Sequence, residues 1–201
     1  SDLGSLIIVG FFVLGTICGV CHLLPFDIAE TNISYYALCA LMFSVGLSVG
    51  NDPQTLKNFR SLNPRLVFLP IMTILGTLAG SAAVSLILTH RSITDCLAVG
   101  SGFGYYSLSS IFITEYKGAE LGTIALLANI SREILTLLAA PLLVRWFGNL
   151  APISAGGATT MDTTLPIITR TAGQQFVVVS IFHGFVVDFS VPFLVTLFCS
   201  I

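Results

Sequence analysis

One carboxylate stands out by its surroundings. Asp162 lies in Gly156-Gly157-Ala158-Thr159-Thr160-Met161-Asp162-Thr163-Thr164-Leu165-Pro166, a polar, helix-breaking run inside a strongly apolar sequence. A charged side chain at the bilayer centre costs at least about 2.5 kcal/mol on insertion scales, so it is retained where it faces a cavity, pairs with another group or binds a ligand. The chemistry it offers is the binding of a cation or a proton. The hydroxyls of Thr159, Thr160, Thr163 and Thr164 can complete the shell of a desolvated ligand. A structural reading competes with this one: Asp162 can cap a helix that begins just after it, and threonines satisfy broken backbone locally.

A second constellation is Gly100-Ser101-Gly102-Phe103-Gly104-Tyr105-Tyr106-Ser107-Leu108-Ser109-Ser110. Each glycine costs about 1 kcal/mol in a helix interior, so the helix is expected to break here. Backbone around Gly102, Gly104, Ser107 and Ser109 then offers an anion site at the start of the next half-helix. The alternative is a tight helix crossing packed by hydroxyls. A third group, Asn129, Arg132, Glu133 and Thr136, falls within about 100° of arc on one helix and forms a polar stripe that must face the protein interior. Arg132 is a candidate counter-ion for Asp162 or Glu133, set against a structural ion pair joining two helices. His183 and Asp188 read as residues satisfied by neighbouring backbone. Ser180, Gly184 and Asp188 share a helix face from which His183 points away.

These residues need a membrane scaffold to position them. Of 201 residues, 55% are hydrophobic and 9% charged, against roughly 25% charged in soluble domains, which predicts an integral membrane protein. The net charge of -2, from 8 Lys+Arg and 10 Asp+Glu, includes no basic run and so no footprint for nucleic acid. Five cysteines, odd in number and set in apolar runs, read as small hydrophobes. No metal-ligand spacing or cofactor motif is found. The sequence also lacks G-x-S-x-G and H-E-x-x-H, which argues against an enzyme.

About 20 apolar residues span a bilayer as a helix. Full spans are predicted at 3–24, 33–49, 66–88, 118–146 and 174–199, with interrupted or re-entrant segments at about 93–113 and 152–168. The expected fold is therefore an all-α polytopic membrane protein of about five full transmembrane helices plus two interrupted segments, in one transporter domain covering 1–201. Two interrupted segments in related positions point to a transporter binding site. Lys57, Arg60 and Arg65 place the loop 51–65 in the cytoplasm. That puts the amino terminus inside and the carboxyl terminus outside.

Three runs in this order, Ser101-Gly102-Phe103-Gly104-Tyr105-Tyr106-Ser107-Leu108-Ser109, then Asn129-Ile130-Ser131-Arg132-Glu133, then Gly156 through Pro166, resemble the lysine exporter family called LysO. The resemblance covers essentially the whole chain, from about Leu3 onward. It corresponds to the carboxyl-terminal two-thirds or so of a typical full-length member, whose amino-terminal membrane part is not matched; some members are split into a short and a long protein. The resemblance implies a transporter of the bacterial inner (plasma) membrane that exports L-lysine and close analogues, driven by protons, with no cofactor and with Asp162 essential. Sodium is the alternative coupling ion. A homo-oligomer, or completion by a small amino-terminal membrane partner chain, is expected, and the non-transporter alternative is a subunit that depends on such a partner. In the transport cycle Asp162 binds ammonium or proton, backbone from Gly102 to Ser107 takes the substrate carboxylate, and Asn129 and Glu133 line the path.

Overall fold

The structure, a computed structural model, describes residues 2–23, single positions between 36 and 57, and residues 63–201. Among the described residues there are helices and turns and no strand, as expected of an all-α membrane protein. An amino-terminal unit, Ser1–Asn51, contains α1 (Asp2–Val20), whose 19 apolar-rich residues account for most of the span predicted at 3–24. Most of the span predicted at 33–49 lies outside the described residues, as does most of the loop with Lys57 and Arg60.

The second unit, Asp52–Ile201, carries α2 (Leu69–Ile87), α3 (Ile93–Gly100), α4 (Tyr106–Lys117), α5 (Ala119–Phe147), α6 (Ala151–Gly156), α7 (Leu165–Ala172) and α8 (Val177–Ser200). Counting the short 3-10 turns that lead into α2 and α8, three of its helices are long and apolar enough to cross a membrane: Pro64–Ile87, Ala119–Phe147 and Gln174–Ser200. They correspond to the last three predicted full spans. Pro64 and Pro70 stand at the starts of helical segments, where a missing N–H leaves no bond unmade.

Both predicted interruptions exist, and both turn back. Arg91 and Asp95, at the start of α3, pair with Glu120 and Lys117, which flank the end of α4. The segment α3–α4 therefore leaves and returns on one face. α5 carries the chain to the opposite face, since 29 residues at 1.5 Å each extend about 43 Å. α8 returns it, for Cys199 near its carboxyl end lies within electrostatic reach of Lys117 and Asp95. α8 thus starts where α5 ended, and α6–α7 is re-entrant from that second face. It follows that Ile201 and Asn63 lie on opposite faces.

The hairpins meet at their tips, where the Ala158 N–H donates to Phe103 O at 2.9 Å. This approach requires glycine twice. Gly157 has φ +63, and a Cβ there would collide with Phe103 O; Gly104 has φ +88, and a Cβ there would sit 3.3 Å from Gly156 O. Phe103 itself has φ +48, an uncommon conformation for a bulky residue, and is fully buried. Ala98, Ile113, Leu121, Ala125 and Val187 form the apolar core around this crossing. α8 comes closest to the second tip at Gly184, where a Cβ would collide with the Met161 amide.

Candidate functional site

The polar stripe of α5 braces both interruptions. Asn129, 3% exposed, accepts from Gly104 N at 2.9 Å through Oδ1, while its Nδ2 donates to Val99 O at 3.2 Å, Ala125 O at 2.8 Å and Ser109 Oγ at 3.3 Å. One amide thus takes up backbone groups on both sides of the first break. Gly102 fits against it because a Cβ would collide with that amide. Asn129, expected to line a substrate path, and Ser109, expected in the site, are buried and hydrogen-bonded within this brace, and Asn129 also borders a cavity along α2, α3 and α5.

Arg132 does for the second break what Asn129 does for the first. Its Nε donates to Ala155 O at 2.8 Å, Nη2 to Ser154 O at 2.9 Å and Nη1 to Thr77 Oγ1 at 3.1 Å. A guanidinium therefore closes the carbonyl end of α6, where unpaired C=O groups and the helix dipole favour a cation. The Phe103 ring lies 5.9 Å from its charged carbon. Among the described residues, no carboxylate lies within ion-pair distance of Arg132. Its expected role as counter-ion to Asp162 or Glu133 is corrected accordingly: carbonyls freed inside the protein have no water to turn to, and they hold the fork.

The anion site is narrower than the glycine run suggests. Gly102 N donates to Val99 O, Phe103 N to Gly100 O, Gly104 N to Asn129, Tyr105 N to Gly102 O and Tyr106 N to Gly104 O. The N–H groups of Gly102 and Gly104 are therefore unavailable to a ligand. Ser107 and Leu108, in the first turn of α4, keep N–H groups without an acceptor among the described residues.

At the second break the threonines divide. Thr159 donates to Gly156 O at 2.8 Å and shares a hydrogen bond of 3.1 Å with Thr164; Thr160 donates to Gly157 O at 2.9 Å. These hydroxyls are buried and satisfy the interrupted backbone. Asp162 is half-buried and accepts from Thr163 N at 2.6 Å. Glu133, half-buried on the α5 stripe, interacts electrostatically with Asp162, and both carboxylates lie beside the Thr163 hydroxyl. That hydroxyl is buried and has no partner at hydrogen-bond geometry. An unmade buried hydrogen bond costs about 1–3 kcal/mol, so such a group calls for an explanation, and a ligand supplies one. Tyr106, which opens α4, is within electrostatic reach of both carboxylates, and Asp188 of Asp162.

The fold thus brings two carboxylates, Asp162 and Glu133, to the Thr163 hydroxyl, and it leaves the Ser107 and Leu108 amides open at the start of α4. A profile of the family described as Lysine exporter LysO matches residues 9–199. The chain belongs to the LysO lysine exporter family. It is 36% identical over 198 residues to Lysine exporter LysO of Escherichia coli (strain K12), a match covering 98% of this chain and 65% of that protein. It is 34% identical over 200 residues to a putative lysine exporter of Haemophilus influenzae, covering 100% of this chain and 98% of that one. The chain therefore spans 65% of the length of the first of these relatives. No solved structure matches it.

In this member of the LysO family, a multi-pass membrane protein, two residues near the site escaped the sequence reading. Asp188 was set aside although it shares a face with Ser180 and Gly184. His183 does not point away: it is fully buried, with its ring between Thr160 and Thr73, and Ser180 beside it donates to Thr160 O at 2.6 Å. The available signal was that an ionisable residue inside a span is functional by default. A cavity of about 980 Å³ runs along α2, α3 and α5 past Thr77, Ser81, Asn129 and Arg132, and its lining includes neither Asp162 nor Glu133.

Proposed function

We propose that this chain exports L-lysine and close analogues across the bacterial inner membrane in exchange for protons. The observation that carries this reading is the pair of half-buried carboxylates, Asp162 and Glu133, around the unpartnered Thr163 hydroxyl at a re-entrant tip. The names of the relatives support lysine as the cargo. Lysine presents two ammonium groups and one carboxylate. Asp162 and Glu133 match the former in charge, and the amides of Ser107 and Leu108 match the latter.

A carboxylate that holds either an ammonium or a proton excludes one by holding the other, which is enough for antiport. Moving one lysine cation outward against 100 mV costs about 2.3 kcal/mol, and one proton moving inward returns it. A one-for-one exchange is therefore driven by the pH gradient alone. A second proton, carried on Glu133, adds the membrane potential as a drive. The positive residues at 57, 60 and 65 favour a cytoplasmic start for the second unit and an external carboxyl terminus.

The test is lysine flux from proteoliposomes with the potential clamped near zero. Efflux driven by an inward proton gradient is expected; efflux that follows a sodium gradient and ignores the proton gradient overturns the coupling. Reconstituting this chain by itself also tests the alternative of a subunit that depends on an amino-terminal partner.

A further inference from the structure

His183 takes no part in the site as built so far, yet its hydrogen bonds are unusually constrained. Nδ1 lies 3.0 Å from Thr160 Oγ1 and Nε2 lies 2.8 Å from Thr73 Oγ1. Each hydroxyl has one hydrogen to give. Thr160 gives its hydrogen to Gly157 O, which can only accept. Thr73 gives its hydrogen to Ser154 Oγ at 3.1 Å. With the hydroxyls in these directions both oxygens meet the ring as acceptors, and a ring that donates from both nitrogens satisfies them. A neutral imidazole carries one N–H and an imidazolium two.

We propose that His183 is a second proton-binding site of this protein, separate from the carboxylates, and that its proton decides whether α2 is tied to the second re-entrant helix. With two ring protons, the chain Thr160–His183–Thr73–Ser154 stands complete. With one, Gly157 O still holds Nδ1–H as the donor to Thr160; Nε2 becomes an acceptor, Thr73 turns its hydrogen to the ring, and its bond to Ser154 is given up. The groups facing the ring from α2, the second tip and α8 are neutral: Thr73, Thr160, Gly157 and Ser180. From α5 the charged group in reach is Arg132, which also holds Ser154 O. Ser154 thus joins the proton site to the brace, and Thr160 joins it to the turn that carries Asp162. Resting on the proposed lysine–proton exchange, a proton on His183 and a substrate cation at Asp162 and Glu133 oppose one another.

The direct test is nitrogen NMR of histidine-labelled protein in nanodiscs, without substrate. The chain has three histidines, so His22→Asn with His90→Asn leaves His183 alone in its native surroundings. The resonance is expected to move, as the pH is lowered from about 8 to about 3, from a ring protonated at Nδ1 to one protonated at both nitrogens. A ring fixed in one neutral form throughout, or protonated at Nε2 alone when neutral, overturns the proposal. The NMR result does not depend on transport, so it separates this proposal from the exporter reading. In flux assays His183→Gln is expected to flatten the pH dependence of turnover while changing the KM for lysine less than about 2-fold. An equal loss of rate at every pH assigns His183 a packing role only and contradicts the proposal.

Discussion

At the first tip, residues 101–105, the interruption is closed on itself. Gly104 N and Val99 O are taken by Asn129, the remaining amides through Tyr106 find nearby carbonyls, and Ser109 bonds the same Asn129. At the second tip, residues 157–164, Thr159 and Thr160 do comparable work on the backbone and Arg132 closes the end of α6. There, however, Asp162 and Thr163 are left beside Glu133 without a complete set of partners. The same device, a re-entrant helix broken at glycine, has its tip closed on itself in one case and left with open polar groups in the other. α5 supplies the difference from one stripe, with Asn129 at the first tip, Arg132 at the second and Glu133 beside the open groups.

The comparison breaks most violently at the point of contact. Gly157→Val is expected to cost more than about 3 kcal/mol, because the side chain collides with Phe103 O in a backbone region closed to branched residues. Loss of the monodisperse peak in size-exclusion chromatography is the readout. Gly104→Ala, with 3.3 Å to its nearest neighbour, is expected to cost about 1–2 kcal/mol for its positive φ and to leave a folded protein with a lower Tm. Equal tolerance at the two positions contradicts the packing described here.

The braces come next. Arg132→Met removes charge-assisted bonds to Ser154 O and Ala155 O and is expected to cost about 3 kcal/mol, with Arg132→Lys recovering only part because it lacks the fork. Asn129→Leu is expected to cost about 1–3 kcal/mol by orphaning Gly104 N and Val99 O. Thermal unfolding in detergent checks both. If either variant keeps its Tm and loses only transport, the residue belongs to the site and the division drawn between brace and site fails.

Much of this was legible in the sequence, and the exceptions have a common cause. Glycine spacing announced both breaks, and the period of α5 placed Asn129, Arg132 and Glu133 on one face. Whether the segments cross or return was not legible, since half-helices of 8 and 12 residues suit either course; the ion pair that decides it joins Arg91 to Glu120, 29 positions away. Arg132 was misread because its partners are main-chain carbonyls, which leave no mark on composition. His183 was missed because its ring is held by Thr73, 110 positions away. Local chemistry could be read along the chain, whereas partners brought together by the fold could not.

The smallest effects on stability fall where the site is open. Thr163→Val removes a buried hydroxyl with no partner at hydrogen-bond geometry and is expected to cost no stability and to raise it by up to about 1 kcal/mol, while Thr160→Val, which loses bonds to Gly157 O and His183, costs about 1–2 kcal/mol. Lysine KM measured alongside Tm should rise for Thr163→Val. A large Tm loss there places Thr163 among the supports.

The most direct measurement is lysine–proton exchange by Asp162→Asn in proteoliposomes, taken together with its Tm. Exchange at the level of protein-free liposomes, with Tm within about 4 °C of the unsubstituted protein, is the predicted result. Exchange at a normal rate contradicts the account, because the carboxylate at the open tip is then not where proton and substrate compete.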